Sequence, residues 1–243
     1  MKRYGLDGRR AIITGAASGI GLAATTRLRD EGCRVLAVDL QPTPLDGIEV
    51  LVQDVAAPEA AARIVAEAES RLGGLDILFN NAGVSAFMEL EGHSDDLWDR
   101  NLAVNVTALF RLSRAAAPLL KQSPAGRIIN TGSVMSSFGA AGMVAYAASK
   151  HAVLGVTKAL AAELGPAGIT VNAIQPGAIL TGITGPTFEQ MPEFRTYWEN
   201  KAALRRIGRP EEIASVVAFL CSDDASFVSG HGILIDGGAV QQA

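Results

Sequence analysis

The sequence predicts an α/β fold: a doubly wound parallel sheet of about seven strands with helices on both faces, in a single domain over residues 1–243. Three observations carry this expectation. About seven short apolar runs alternate with helical stretches, the order that gives a parallel sheet covered on both sides. The first of these runs leads through a glycine-rich turn into a helix. The 243 residues, 49% of them hydrophobic, suit one large domain with an ample core.

In RRAIITGAASGIGLAATTRL, Ala11–Thr14 reads as a short buried strand, followed by a turn with Gly15, Gly19 and Gly21 and a helix that runs to about Glu31 and stops at Gly32. Glycine lets a backbone approach a pyrophosphate, and the free amides at a helix start attract anions, so Gly15, Ser18, Gly19, Ile20 and Gly21 are candidate phosphate contacts. The next apolar run, RVLAVDL, ends in Asp39, where an acid about 20 residues past the last glycine fits a ribose diol. A carboxylate there bonds the two ribose hydroxyls of NAD and repels a 2′-phosphate. Ser18 brings no cation for that phosphate, and the sequence therefore favours NAD over NADP. Between Asp39 and Asp54, two prolines and Gly47 leave no room for a crossover helix before a strand near Glu49–Gln53, so this link is expected to be coil.

LDILFNNAG is a buried strand whose final glycine lets the chain pass close to a cofactor. RIINTGS is an apolar β-branched run ending at Gly132, which puts Ser133 at the carboxyl end of a strand, where open sheets bind ligands. Tyr146 and Lys150 stand four apart in AYAASKHAVLGVTKALAAELG, so they share one helix face one turn apart. A neighbouring ammonium is expected to draw the phenol below its usual value of about 10 and ready it to exchange a proton with an alcohol. About 200° away, Ala148, Ala152, Gly155, Ala159 and Ala162 form a small-residue face that admits another backbone, from the same chain or from a copy.

Taken together, these motifs resemble the short-chain dehydrogenases/reductases, in their compact single-domain branch, over nearly the whole chain. The pattern TGxxxGxG is Thr14–Gly21, NNAG is Asn80–Gly83, the asparagine of LAVNV is Asn105, the Ser, Tyr and Lys are Ser133, Tyr146 and Lys150, and the PG turn with its following threonine is Pro176, Gly177 and Thr181. The resemblance implies a Rossmann-like sheet with Tyr146 as acid/base, and Lys150 binding the nicotinamide ribose and tuning Tyr146. It further implies that Ser133 holds the substrate oxygen and Asn105 positions a water in the proton path. Leu40, Asp54, Val55, Asn81, Ala82 and Gly83 would join Asp39 along the cofactor, Ile179 and Thr181 would hold its carboxamide, and the chain would form a homotetramer.

The expected substrate walls are Val84–Met88, Val134–Phe138, Gly139–Val144 and the segment 178–201, with Met135 and Met143 joining Ser133 and Tyr146 as contacts. Segment 178–201 reads as a lid of little regular structure carrying Phe188, Met191, Phe194, Tyr197 and Trp198. Val134, Met135, Phe138, Met143 and Val144 are apolar, which favours an uncharged secondary alcohol or ketone. A small hydroxy acid or a polyol is the alternative; an acid needs a cation, and Arg195 is the candidate, with Arg205 and Arg206 read as structural.

A net charge of −4 without a basic patch argues against nucleic acid as a partner. MKRYGLDGRR has no apolar core of signal length, so the cytoplasm is expected. The uncharged run from Ile128 to Ser149 is interrupted by Asn130, Thr131, serines and glycines, which weighs against a membrane span. Cys33 and Cys221 read as buried free thiols; His93, His151 and His231 are isolated, and no metal is expected. Two rivals differ in class. A catalytically silent NAD-binding regulator would have no use for the full Asn, Ser, Tyr and Lys set. A nicotinamide-independent lyase such as a halohydrin dehalogenase has no use for TGAASGIG with Asp39.

Overall fold

The computed structural model describes residues 4–182 and 184–240. The chain runs β1 (Arg10–Thr14), α1 (Gly19–Asp30), β2 (Arg34–Asp39), β3 (Glu49–Val52), α2 (Ala60–Leu72), β4 (Ile77–Asn80), α3 (Asp95–Leu102), a π-helical stretch Ala103–Ala108, and α4 (Leu109–Leu120). It continues with β5 (Arg127–Thr131), a 3₁₀ turn Val134–Ser136, α5 (Val144–Leu164), β6 (Thr170–Pro176), α6 (Gly185–Gln190), α7 (Pro192–Lys201), α8 (Pro210–Cys221) and β7 (Gly232–Ile235).

All seven strands pair in parallel in the order β3-β2-β1-β4-β5-β6-β7. Because strand side chains alternate between faces, β1 feeds two cores at once. Ala11 and Ile13 join Val35, Ala37, Ile77 and Phe79 on the face covered by α1 and α8. Ile12 joins Leu36, Leu78 and Ile128 on the opposite face, under Ile64 and Ala68 of α2, Leu112 and Ala116 of α4 and Leu164 of α5. Burial on both faces is why these strands read as continuous apolar runs.

Residues 40–48 between β2 and β3 form a coil, as the prolines and Gly47 predict. The segment 178–201 departs from its expected form. Instead of a loop it holds α6 and α7, each with a proline, Pro186 and Pro192, in its first turn, where the missing N–H has no intrahelical partner to lose. Phe188 and Trp198 are buried with Val134, Ala202 and Ala239, so these two aromatics pack the segment onto the body. Ile183, part of the same segment, lies outside the described residues.

Candidate active site

β1 and β4 are neighbours in the sheet but not in sequence, so the strand order reverses between them and a crevice opens beyond their carboxyl ends. Thr14 and Asn81 lock the two turns that border it. Thr14 Oγ1 accepts the N–H groups of Asn81 and Ala82, both at 3.0 Å. Asn81 Nδ2 donates to the carbonyls of Thr14 at 3.0 Å and Gly15 at 3.1 Å. The Asn81 side chain thus holds the glycine turn in place. A Cβ on Gly21 would lie 1.9 Å from the Gly15 oxygen, so the close approach of α1 to the turn requires glycine there.

Ser18 caps α1 without a side-chain bond, and Gly19, Ile20 and Gly21 form its first turn. The Ile20 side chain packs on the α1/α8 core, so what it offers the crevice is backbone. Asp39, at the end of β2, accepts N–H groups from Ala17 at 2.9 Å, Leu40 at 2.6 Å and Gln41 at 3.3 Å. Its carboxylate therefore meets backbone amides beside the turn. Leu40 is exposed. Asp54 accepts from Ala56 at 2.9 Å and from Arg100 at 3.4 Å, while Val55 lies beside Thr14, Asn80 and Ala82.

From the other side, Pro176 ends β6, and the Gly177 N–H donates to Ile235 at 3.0 Å. Ile179 bridges to Gly208, which brings Thr181 so near the glycine turn that a Cβ on Gly19 would sit 3.2 Å from it. Gly83 lies next to Lys150, whose Nζ would be 3.6 Å from a Cβ placed there. A groove of about 560 Å³ runs along Gly19, Thr181, Gly182 and Pro210, on the flank of the turn and away from Ser133 and Tyr146.

The four residues singled out for proton chemistry lie on elements packed around this edge. Ser133 caps the 3₁₀ turn after β5, and its Oγ accepts the Met135 N–H at 3.1 Å. Lys150, 3% exposed, donates from Nζ to the Thr131 carbonyl at 2.6 Å and lies 5.6 Å from the centre of the Tyr146 ring. Asn105 belongs to the π-helical stretch, a form common at functional sites. Its Oδ1 accepts the Val84 N–H at 2.8 Å, and its Nδ2 donates to the Val84 carbonyl and to Ser149 Oγ, both at 2.9 Å. Ser149 in turn donates to the Tyr146 carbonyl at 2.7 Å.

The electrostatics differ from the expectation that Lys150 lowers the phenol. Tyr146 keeps partial solvent access as a residue, but its hydroxyl sits deep, and burial pushes its pKa up, with only the Ser133 hydrogen bond pulling the other way. Burial also brings Lys150 down to about 8. The low-polarity site disfavours both charges more than their mutual attraction favours them, and the ammonium is directed at Thr131.

Met135, after Ser133, and Met143, before Tyr146, are half-buried. Two walls are joined where the Met88 N–H donates to the Gly142 carbonyl at 2.9 Å and the Phe87 ring covers Gly142. Lys201 of α7 stands 5.0 Å from the Phe138 ring, which ties the 178–201 segment to the loop after Ser133. Arg195 pairs with Glu199 at 2.9 Å, and Arg206 makes a forked pair with Glu212 that holds this acid at about 2. Arg205 donates to the Asn200 carbonyl.

On α5, Gly155, Ala159 and Ala162 are exposed, and a Cβ on Gly155 would meet nothing within 4 Å. This part of the small-residue face is thus not used for packing within the chain. Cys33 and Cys221 are free and buried, and burial pushes Cys33 up to about 12 and Cys221 up as well. Among the described residues no three His, Cys, Asp or Glu side chains are grouped to hold a metal ion, and no helix is long and apolar enough to cross a membrane.

The sequence reading did not find Ser149 as part of the site, and it took Thr14 as a motif residue and Ser136 as a substrate wall without the hydrogen bonds that each makes. Ser136 stands three after Ser133, a capping-box spacing, and Ser149 lies within one turn of Tyr146; these were the available signals.

A doubly wound sheet with a glycine turn at its switch point and a Ser, Tyr and Lys cluster at the same edge defines an oxidoreductase of the dinucleotide-binding class. Comparison with known proteins sharpens this. The family described as Enoyl-(Acyl carrier protein) reductase matches residues 15–240. The 3-oxoacyl-(acyl-carrier-protein) reductase FabG of Thermotoga maritima is 36% identical over 97% of this chain and 99% of its own. Dehydrogenase/reductase SDR family member 4 of Oryctolagus cuniculus is 34% identical over 98% of this chain and 96% of its own. The ligand-free structure of the aldohexose dehydrogenase AldT from Thermoplasma acidophilum superposes with a TM-score of 0.95 at 31% identity, covering 99% and 98% of the two chains. The chain belongs to the short-chain dehydrogenase/reductase family.

Proposed function

We propose that this protein is an NAD-dependent dehydrogenase that interconverts a secondary alcohol and a ketone, with Tyr146 as acid/base. The observation that carries this reading is a buried Lys150 that lies 5.6 Å from the Tyr146 ring and bonds Thr131, two residues before Ser133, at the sheet edge that also holds the glycine turn. Ser133 holds the substrate oxygen and Tyr146 takes its proton. Lys150 supports Tyr146 and holds a ribose. Asn105, through Val84 and Ser149, keeps the wall after β4 aligned with the helix of Tyr146. When bound, the nicotinamide supplies the hydride acceptor. Its holder would be the backbone of Gly15–Gly21, with Asp39 at the ribose, Asp54 and Val55 toward the adenine, and Ile179 and Thr181 over the carboxamide. Glycines whose Cβ atoms would collide with the facing turn, and a carboxylate surrounded by amides, fit such a group.

Several further features support this reading. The apolar walls, including Met135, Met143 and the exposed Phe87, Met88 and Val144, suit an uncharged substrate. Arg195 is engaged by Glu199, which weakens the hydroxy-acid alternative. A polyol or sugar is the second reading, favoured by the likeness to an aldohexose dehydrogenase. Segment 178–201 acts as the substrate lid, and the open face of α5 supports a homotetramer; a monomeric mass by light scattering refutes the oligomer. Turnover of a panel of secondary alcohols, polyols and hydroxy acids with NAD⁺ and with NADP⁺, read as reduced nicotinamide absorbance, tests the function. Tyr146→Phe is expected to lower turnover by about 10²–10⁴ or more while NADH fluorescence still reports binding. Retained turnover in that variant, or a preference for NADP⁺, overturns the corresponding part.

A further inference from the structure

We propose that Ser136 is a positioning residue that staples the Ser133 turn to the helix carrying Tyr146 and Lys150, and so fixes Ser133 against the phenol. The inference rests on the dehydrogenase reading and adds to it a side chain that reading does not use. Ser136 closes the 3₁₀ turn Val134–Ser136 and is 4% exposed. Its Oγ accepts the Ser133 N–H at 3.1 Å, and its hydroxyl donates to the Lys150 carbonyl at 2.7 Å. One hydroxyl therefore joins the backbones of two residues of the proton system. Removing the hydroxyl leaves the buried Ser133 amide without its partner and the Lys150 carbonyl with its helical bond alone.

The connection is closed from a second side. Lys150 Nζ donates to the carbonyl of Thr131, the last residue of β5, at 2.6 Å. The chain from Thr131 to Ser136 is thereby anchored to Lys150 at both ends, once through its side chain and once through its backbone. A Cβ on Gly132 would lie 3.0 Å from Ser136 Oγ, so the hydroxyl packs close over the backbone of this glycine. Ser133, between the two anchors, has its own Oγ fixed by the Met135 N–H. Without the Ser136 hydroxyl the turn is free to shift, and Ser133 slackens against Tyr146.

Ser136→Ala tests this through the pH dependence of alcohol oxidation with NAD⁺, using the best secondary alcohol of the panel. The expected outcome is a fall of about tenfold in kcat, with KM and NADH binding moved by less than about twofold. The midpoint of the pH profile of kcat should move up by about half a unit or more, because the Ser133 bond is what counters the effect of burial on the phenol. Ser136→Cys keeps the size and weakens the hydrogen bonds; it should move the midpoint the same way, and it carries the same test should the alanine variant not fold. A folded variant with wild-type kcat, or one with lowered kcat and an unmoved pH midpoint, overturns the staple. A wild-type protein inactive on every alcohol overturns the dehydrogenase reading instead.

Discussion

Lys150 is a cation that the fold holds at a cost, and replacing it should separate stability from activity. It is 3% exposed, and burial brings its ammonium from 10.5 to about 8. A shift of that size corresponds to about 3 kcal/mol of destabilisation while the group is charged in both folded and unfolded chains. The penalty is in full force below about pH 8. Between there and 10.5 the unfolded chain binds a proton that the folded one does not, so stability rises with pH through that window. Lys150→Met removes the penalty and forfeits the Nζ bond to Thr131, which offsets about 1–2 kcal/mol. The net expectation at pH 7 is a gain of about 1–2 kcal/mol, seen as a melting midpoint about 3–6 °C higher in a chain of this length. Turnover should be lost at the same time. The assay is thermal unfolding of both proteins, at equal concentration, at pH 7 and pH 9.5. By pH 9.5 the gain should have vanished, since most of the penalty is relieved in the wild type. A variant that melts below the wild type at pH 7, or a difference that does not depend on pH, refutes the reasoning.

Two further perturbations follow from the packing. Gly21→Ala puts a methyl 1.9 Å from the Gly15 oxygen, which forces the turn off the Asn81 clamp; a loss of about 2–4 kcal/mol and a weakening of NADH binding by at least about tenfold are expected in a fluorescence titration, and unchanged binding would argue that the turn is not the cofactor's seat. Asp76, at the amino end of β4, is raised by burial but held at about 2 by its bonds to Arg10 and Ser123. Its contribution is present above about 3.8 and lost as pH falls toward 2, so Asp76→Asn should cost about 1–2 kcal/mol at pH 7 and much less at pH 2.5 by chemical denaturation. An equal cost at both pH values would count against the ion pair.

The alternation of apolar runs and helices gave the sheet because each strand's two faces are both buried, and that leaves a continuous apolar trace in the sequence. The coil at 40–48 was legible from its prolines. Segment 178–201 was not: α6 and α7 have six and ten residues, too short to be stable by propensity, and they exist because Phe188 and Trp198 find Val134 and Ala239, which lie far away in the chain.

At the candidate site the spacing of Tyr146 and Lys150 fixed their common helix face, and the glycines marked the turn, because both depend on local backbone geometry alone. Tertiary structure decided everything that depends on distant neighbours. It committed the Asn81 amide to Thr14 and Gly15, aimed the Lys150 ammonium at Thr131, and paired Arg195 with Glu199. It also made burial outweigh charge at Tyr146. The depth of a phenol is set by every segment that packs around it, and no spacing within one helix records that sum.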